Sequence, residues 1–387
     1  MSALQDFWRW RRRDTVLAIG ALTLVALFPL AISNPLDAKL DFAIYAVAYS
    51  IFALGLNIVV GFAGLLDLGY VAFYAIGAYS VGWFASDHFA YINHGKGIHI
   101  GVSGLASTLA GIHFNFLLLV VAAMIIAAVL GTLIGLPTLR LRGDYIAIVT
   151  LAFGEIIGTI AFNGDSIKAG RYTLTEGPTA ISPVDQPQIP GFSQLDSATS
   201  LRGYFWLGLA MAIIVLIVNR SLRDSRLGRA WIAVREDEVA AASMGVPLVR
   251  TKLLAYAVGA ALGGAAGAFL GSYTNSISSD QFVFSFSIFI LAAVILGGLG
   301  SIWGVVLGAV VLAFIERYFI PDVLDKINIQ NKIGLHFAFA DLGFGIFGFL
   351  LVIMMILRPE GLFPERRRKI ELTESATADE SLYEVRA

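Results

Sequence analysis

The sequence predicts an all-α polytopic membrane protein, and three observations carry that prediction. Hydrophobic residues make up 57% of the 387-residue chain and charged residues only 14%, with a mean hydropathy of +0.78; soluble domains carry about 25% charged residues. Apolar windows of roughly 18–25 residues recur along the chain, the length a helix needs to cross about 30 Å of hydrocarbon. Lysine and arginine gather in the segments between alternate windows, as the positive-inside rule expects. The net charge of −1 argues against nucleic-acid binding, and the absence of cysteine excludes disulfides, thiolate metal sites and cysteine catalysis.

About ten spans (range 8–10) follow in order, at roughly 15–33, 40–61, 63–85, 115–136, 145–162, 203–220, 251–273, 283–299, 302–320 and 339–357. The basic run WRWRRRD precedes the first, which is long for a signal-peptide core and is followed at once by a second apolar segment; it reads as a retained span. The third, GFAGLLDLGYVAFYAIGAYSVGW, follows the second without a real loop, is rich in glycine and carries Asp67, so it reads as broken or re-entrant. With the N-terminus inside, an even count returns the C-terminus to the cytoplasm. It also places Arg9, Arg11, Arg12, Arg13, Arg140, Arg142, Arg220, Arg223, Arg226, Arg229, Arg235, Arg250, Lys252, Arg366, Arg367, Arg368 and Lys369 there. An odd count would strand one terminal basic cluster on the wrong face. The chain thus divides into a cytoplasmic basic segment (1–14), a transmembrane domain (15–357) and a cytoplasmic tail (358–387) predicted to be disordered at its end. A polar cytoplasmic loop (221–250) and two outer loops (86–114 and 163–202) interrupt the spans; the second outer loop, rich in Pro, Gly and Ser, reads as an ordered cap.

Packing and charge follow from the same solvent argument. Gly259, Gly263, Gly267 and Gly271 recur every fourth residue and share one helix face, where small residues let backbones approach. Gly131 with Gly135, and Gly300, Gly304 and Gly308, repeat the spacing. Glu155 lies ten residues into its span, about 15 Å deep, where a carboxylate costs roughly 2.5–3.5 kcal/mol unless it faces protein or water. With Asp67, Tyr70 and Tyr145 it is a candidate for a translocation path, against the alternative of a helix–helix hydrogen bond. Glu316, followed by Arg317 near an outer end, and Asp341 read as interfacial, and His88, His94, His99 and His113 as solvated loop residues. GGLGSIWG (297–304) lacks the Lys-Ser/Thr of a phosphate-binding loop, and no Gly-Lys-Ser/Thr occurs anywhere, so ATP is not held by such a loop here. No nucleophile–base pair or metal-ligand set stands out.

AVREDEVAAASMGVPLVR (233–250) is the polar exception, set between two apolar runs. Glu236, Asp237 and Glu238 suit a helix N-terminus, and Gly245 with Pro247 gives the stop, so a helix of about two turns is expected. Ala240, Ala241, Ala242 and Met244 would be exposed on it for contact, with Arg235 beside them.

LGRAWIAVREDEVAAASMGV (227–246) resembles the cytoplasmic coupling loop of the LivM-type permeases of branched-chain amino-acid ABC importers. GLNIVVGFAGLLDLGYVAFYAIGAY (55–79), LRLRGDYIAIVTLAFGEI (139–156), ILGGLGSIWGVVLGAVV and RPEGLFPERRRK are similar to further stretches of that family. The resemblance implies a transporter subunit rather than an enzyme, in a bacterial inner membrane, with a fold like the vitamin-B12-importer permeases. It also implies a LivH-type permease partner, two LivG- and LivF-type ATPases carrying ATP and Mg, no cofactor on this chain, and a periplasmic binding protein delivering leucine, isoleucine or valine. The coupling contacts would fall on Arg235, Glu236, Asp237, Glu238, Ala240, Ala241, Met244 and Gly245. A urea or short-chain amide permease and an ion-coupled secondary transporter remain open alternatives.

Overall fold

In hydrocarbon each backbone polar group needs a partner from the protein itself, so the apolar windows form helices. The computed structural model describes residues 20, 23–138, 145–188, 195–324, 343–358 and 361–363. The basic N-terminal segment, Arg140, Arg142, Asp341 and the tail beyond 363 lie outside the described residues. Of the first expected span, a helical stretch over 23–27 ending in a 3-10 turn at Phe28–Leu30 is described.

Helix α1 (Ala38–Asn57) is capped by Asp37 and runs on as a π-helical turn, Ile58–Phe62. There follow α2 (Val71–Phe84), α3 (Phe116–Thr138), α4 (Tyr145–Phe162), α5 (Leu201–Asp224), α6 (Arg226–Glu236), α7 (Glu238–Ser243), α8 (Leu248–Thr274) and α9 (Phe284–Gly297). Helix α10 (Ile302–Phe314) is prolonged as a π-helix through Ile315–Leu324, and α11 (Gly343–Leu357) comes last. Among the described residues seven helices (α1, α3, α4, α5, α8, α9 and α10) are long and apolar enough to cross a membrane. The third expected span is broken. Residues 63–70 are irregular, and α2 has only 14 residues, about 21 Å at 1.5 Å per residue.

Helix α8 is the hub, packed most extensively on α3 and α2 and then on α1. A Cβ on Gly267 would come within 2.4 Å of the Tyr74 carbonyl oxygen, and one on Gly259 within 2.5 Å of Val59. Gly263 lies against Phe73 and Tyr70, and Gly271 against Ala78. Gly77 of α2 returns the contact: its Cβ would stand 2.1 Å from the Gly264 carbonyl. Helix α1 in turn packs on α10 and α5. There the Arg317 guanidinium, next to Glu316, sits 3.6 Å over the Tyr45 ring and donates to the Tyr49 hydroxyl, turned onto α1.

One end of the bundle carries α6 and α7; the other carries an ordered cap. Strands β1 (Ala85–Ser86), β2 (Ile98–Ile100) and β3 (Ile112–Phe114) form one sheet, with β3 central, antiparallel to β1 and parallel to β2. Strands β4 (Lys168–Ala169) and β5 (Tyr172–Thr173) form a small hairpin. The two long loops interlock: Ser86 pairs with Val184, and the Trp83 indole donates to the Leu174 carbonyl. Two histidines correct the reading of solvated loop residues. His113 is buried and meets Asp185 at 2.6 Å, and the His88 side chain is buried within 3.2 Å of Glu176. Each acid comes from the other loop, a pairing no local spacing reveals.

Candidate functional site

The polar loop is built as a clasp. Helix α6 ends at Glu236 because Asp237 turns extended (φ −155°, ψ 110°) and caps a new helix, its carboxylate accepting from the Val239 and Ala240 N–H groups at 2.8 and 3.0 Å. Such a cap contributes about 1 kcal/mol. Helix α7 then closes after six residues: Gly245 adopts φ +85°, Val246 N–H bonds the Ala241 carbonyl, and Gly245 N–H bonds that of Ala242. The expected two-turn helix is therefore shorter, and Glu236 belongs to the helix before it.

Three side chains tie this clasp to the spans. Arg235 donates to the Gly61 carbonyl at 2.7 Å, in the π-helical turn that ends α1, and its stem covers Gly64, where a Cβ would meet it at 2.6 Å. Glu238 accepts from the buried Lys252 of α8. The buried Trp231 indole donates to the Thr251 carbonyl at 2.8 Å. The opposite surface carries Ala240, Ala242, Val239 and Met244, the last two 75% and 86% exposed. Ala241 is the correction: expected on that surface, it is 4% exposed, because it lies on the side of α7 turned toward α6 and α8.

Beyond Gly64 the chain re-enters the bundle without helical hydrogen bonds, and two of its N–H groups find their partners far along the chain. The Leu68 N–H donates to Thr150 Oγ1 of α4 at 3.0 Å, and the Val71 N–H to Ser287 Oγ of α9 at 2.8 Å. The Asp67 carboxylate accepts from Gly69 N–H at 2.9 Å, and the Tyr70 hydroxyl donates to the Gly259 carbonyl at 2.8 Å. Thr150 and Ser287 carried no signal of their own in the sequence.

The four residues proposed for a path do not converge. Asp67 and Tyr70 are enclosed at 2% and 0% exposure, whereas Tyr145 is 68% exposed and Glu155 stands on the open face of α4. That face, with Tyr145, Ile148, Ala152, Glu155, Ile156 and Thr159, mixes polar with apolar groups. The exposed side of α3 is aliphatic: Leu118, Val121, Ile125, Val129 and Leu133. Among the described residues no group of three or more His, Asp and Glu could hold a metal ion.

The profile of the family described as "Branched-chain amino acid transport system / permease component" matches residues 39–356. The chain is 36% identical over 382 residues to the high-affinity branched-chain amino acid transport system permease protein LivM of Escherichia coli (strain K12), an alignment covering 93% of this chain and 78% of that protein. It is 28% identical over 331 residues to the probable branched-chain amino acid transport permease protein LivM of Methanocaldococcus jannaschii, covering 82% and 91%. It is 27% identical over 324 residues to the permease protein LivH of E. coli K12, covering 81% and 90%. No solved structure matches the chain.

Proposed function

The chain belongs to the branched-chain amino acid transport permease family, and from that premise we propose how it works as a subunit of an ATP-driven importer of leucine, isoleucine or valine. It pairs with a LivH-type permease, is driven by two LivG- and LivF-type ATPases that hold ATP and Mg, and receives substrate from a periplasmic binding protein. The observation that carries this reading is α7, whose bare Val239 and Met244 face away from the protein while Arg235, Glu238 and Trp231 fasten it to α1 and α8. A push on that face is transmitted to two spans at once.

In this reading the α7 end and both termini are cytoplasmic, the count of spans is about ten, and the architecture is of the vitamin-B12-importer kind, in a bacterial inner membrane. The strand-built cap faces outward and meets the binding protein. Substrate crosses at the contact with the second permease, along the open face of α4. Glu155 is an exposed carboxylate in mid-helix, and lipid is a costly neighbour for it; a wet path that passes the ammonium of an amino acid is not. Tyr145 lines the cytoplasmic mouth of that path, while Asp67 and Tyr70 build the wall behind it. The test is reconstitution with the partner subunits and labelled leucine. Met244→Glu is expected to abolish uptake and stimulated ATP hydrolysis while the chain stays in the membrane. Uptake by the chain alone, driven by an ion gradient, would overturn the reading, and faster uptake of urea or a short amide than of leucine would move the substrate.

A further inference from the structure

A groove of about 550 Å³ opens on the surface between α3 and the first turns of α8. It is lined by Thr132, Leu248, Leu253, Leu254 and Ala257, together with Arg250. From Leu248 to Ala257 it runs down about 14 Å of helix, close to half the hydrocarbon thickness. The Thr132 hydroxyl donates to the Ala128 carbonyl at 2.8 Å, and among the described residues the other walls, Arg250 apart, carry no side-chain donor. The groove lies beside the aliphatic face of α3, the side of the bundle suited to lipid tails. Arg250 is exposed and makes no ion pair or side-chain hydrogen bond among the described residues, whereas the nearby Lys252 is bound to Glu238. Among the described residues no acidic side chain lines the groove.

We propose that this groove holds one acyl chain of an anionic phospholipid, with its phosphate on Arg250. The shape and the charge point to the same occupant: an apolar slot entering the membrane from a boundary where one uncommitted guanidinium waits. Because the short turn Met244–Pro247 joins α7 to α8, a lipid seated there braces the joint through which the clasp moves α8.

The test uses the full-length chain, with whatever subunits co-purify, in nanodiscs of equal phosphatidylglycerol and phosphatidylcholine, and counts retained lipids by native mass spectrometry. One basic residue at an anionic membrane surface predicts about a fivefold preference for phosphatidylglycerol. Arg250→Gln is expected to remove the preference but leave a lipid bound. Ala257→Trp, which fills the groove without changing charge, is expected to lower the count of tightly held lipids. Ile214→Trp, on the exposed face of α5, is the control for a large ring at the bilayer and should change neither. Thermal unfolding of each variant separates a filled groove from a damaged fold. Equal retention of both lipids by the unaltered chain would overturn the proposal. So would a preference that survives Arg250→Gln, or a thermal shift reproduced by inorganic phosphate alone.

Discussion

Helices α3 and α8 pack against one another, yet they follow opposite rules. Helix α3 has a mean hydropathy of 3.0 and only 22% of its best window is buried; α8 has a mean hydropathy of 1.8 and 72% is buried. In a soluble protein the greasier helix would be the inner one. Here lipid is as apolar as leucine, so hydropathy marks entry into the membrane and says little about the centre of the bundle. Small residues set the centre, because a glycine stripe lets backbones touch.

The contrast can be broken most directly at its tightest contacts. Gly77→Leu or Gly267→Leu forces side-chain atoms into the Gly264 or Tyr74 carbonyl, and each should cost about 3 kcal/mol or more. Both should deplete the chain from membranes and lower its unfolding temperature in detergent. Ile125→Ala on α3, at a site 59% exposed, should change either by less than about 0.5 kcal/mol; equal damage from the two would end the comparison.

Next in size are the side chains that serve the broken segment. Ser287→Ala leaves the buried Val71 N–H without its partner, a loss of about 1–3 kcal/mol that equilibrium unfolding reads, and Thr150→Val, which strands the part-buried Leu68 N–H, should cost less. Smaller again are changes that spare the fold. Arg235→Ala removes the bond to the Gly61 carbonyl and should lower leucine uptake about tenfold, within the usual range of coupling energies, with little change in ATPase binding. Glu155→Leu sharpens the contrast between α3 and α4. If α4 faces a wet path, uptake falls about tenfold while stability holds or rises; unchanged uptake would make the α4 surface a second lipid face.

The smallest effect lies in the cap. Burial holds the Asp185 carboxyl above the ordinary carboxylate range against the opposing pull of His113 and His99, with Asp87 adding to the rise. The folded cap therefore binds more protons than the unfolded chain between the two values, and its stability falls as pH rises through the folded one. Asp185→Asn should flatten that slope in cap-directed proteolysis measured across pH.

Much of this was legible in composition and spacing. The apolar windows at 115–136, 145–162 and 251–273 fall on α3, α4 and α8 because their length alone demands a helix in lipid. The break near Asp67 was readable from glycine and the missing loop, and the polar clasp from its charge and its Gly245 stop. What stayed hidden depends on partners distant in the chain: Thr150 and Ser287 reaching residues 82 and 216 positions away, His113 meeting Asp185, Arg317 lying over Tyr45. No periodicity encodes such pairs. Ala241 was misread for a local reason, since a helix of six residues has so few positions that one turned inward cannot be told from its neighbours.

The irregular stretch at 63–70 also has a consequence for how the molecule is made. Two of its hydrogen-bond partners, Thr150 and Ser287, are synthesised later, the second more than two hundred residues downstream, and α2 has only 14 residues. Until α4 and α9 have been made, the Leu68 and Val71 N–H groups lack the side chains that accept from them in the finished bundle.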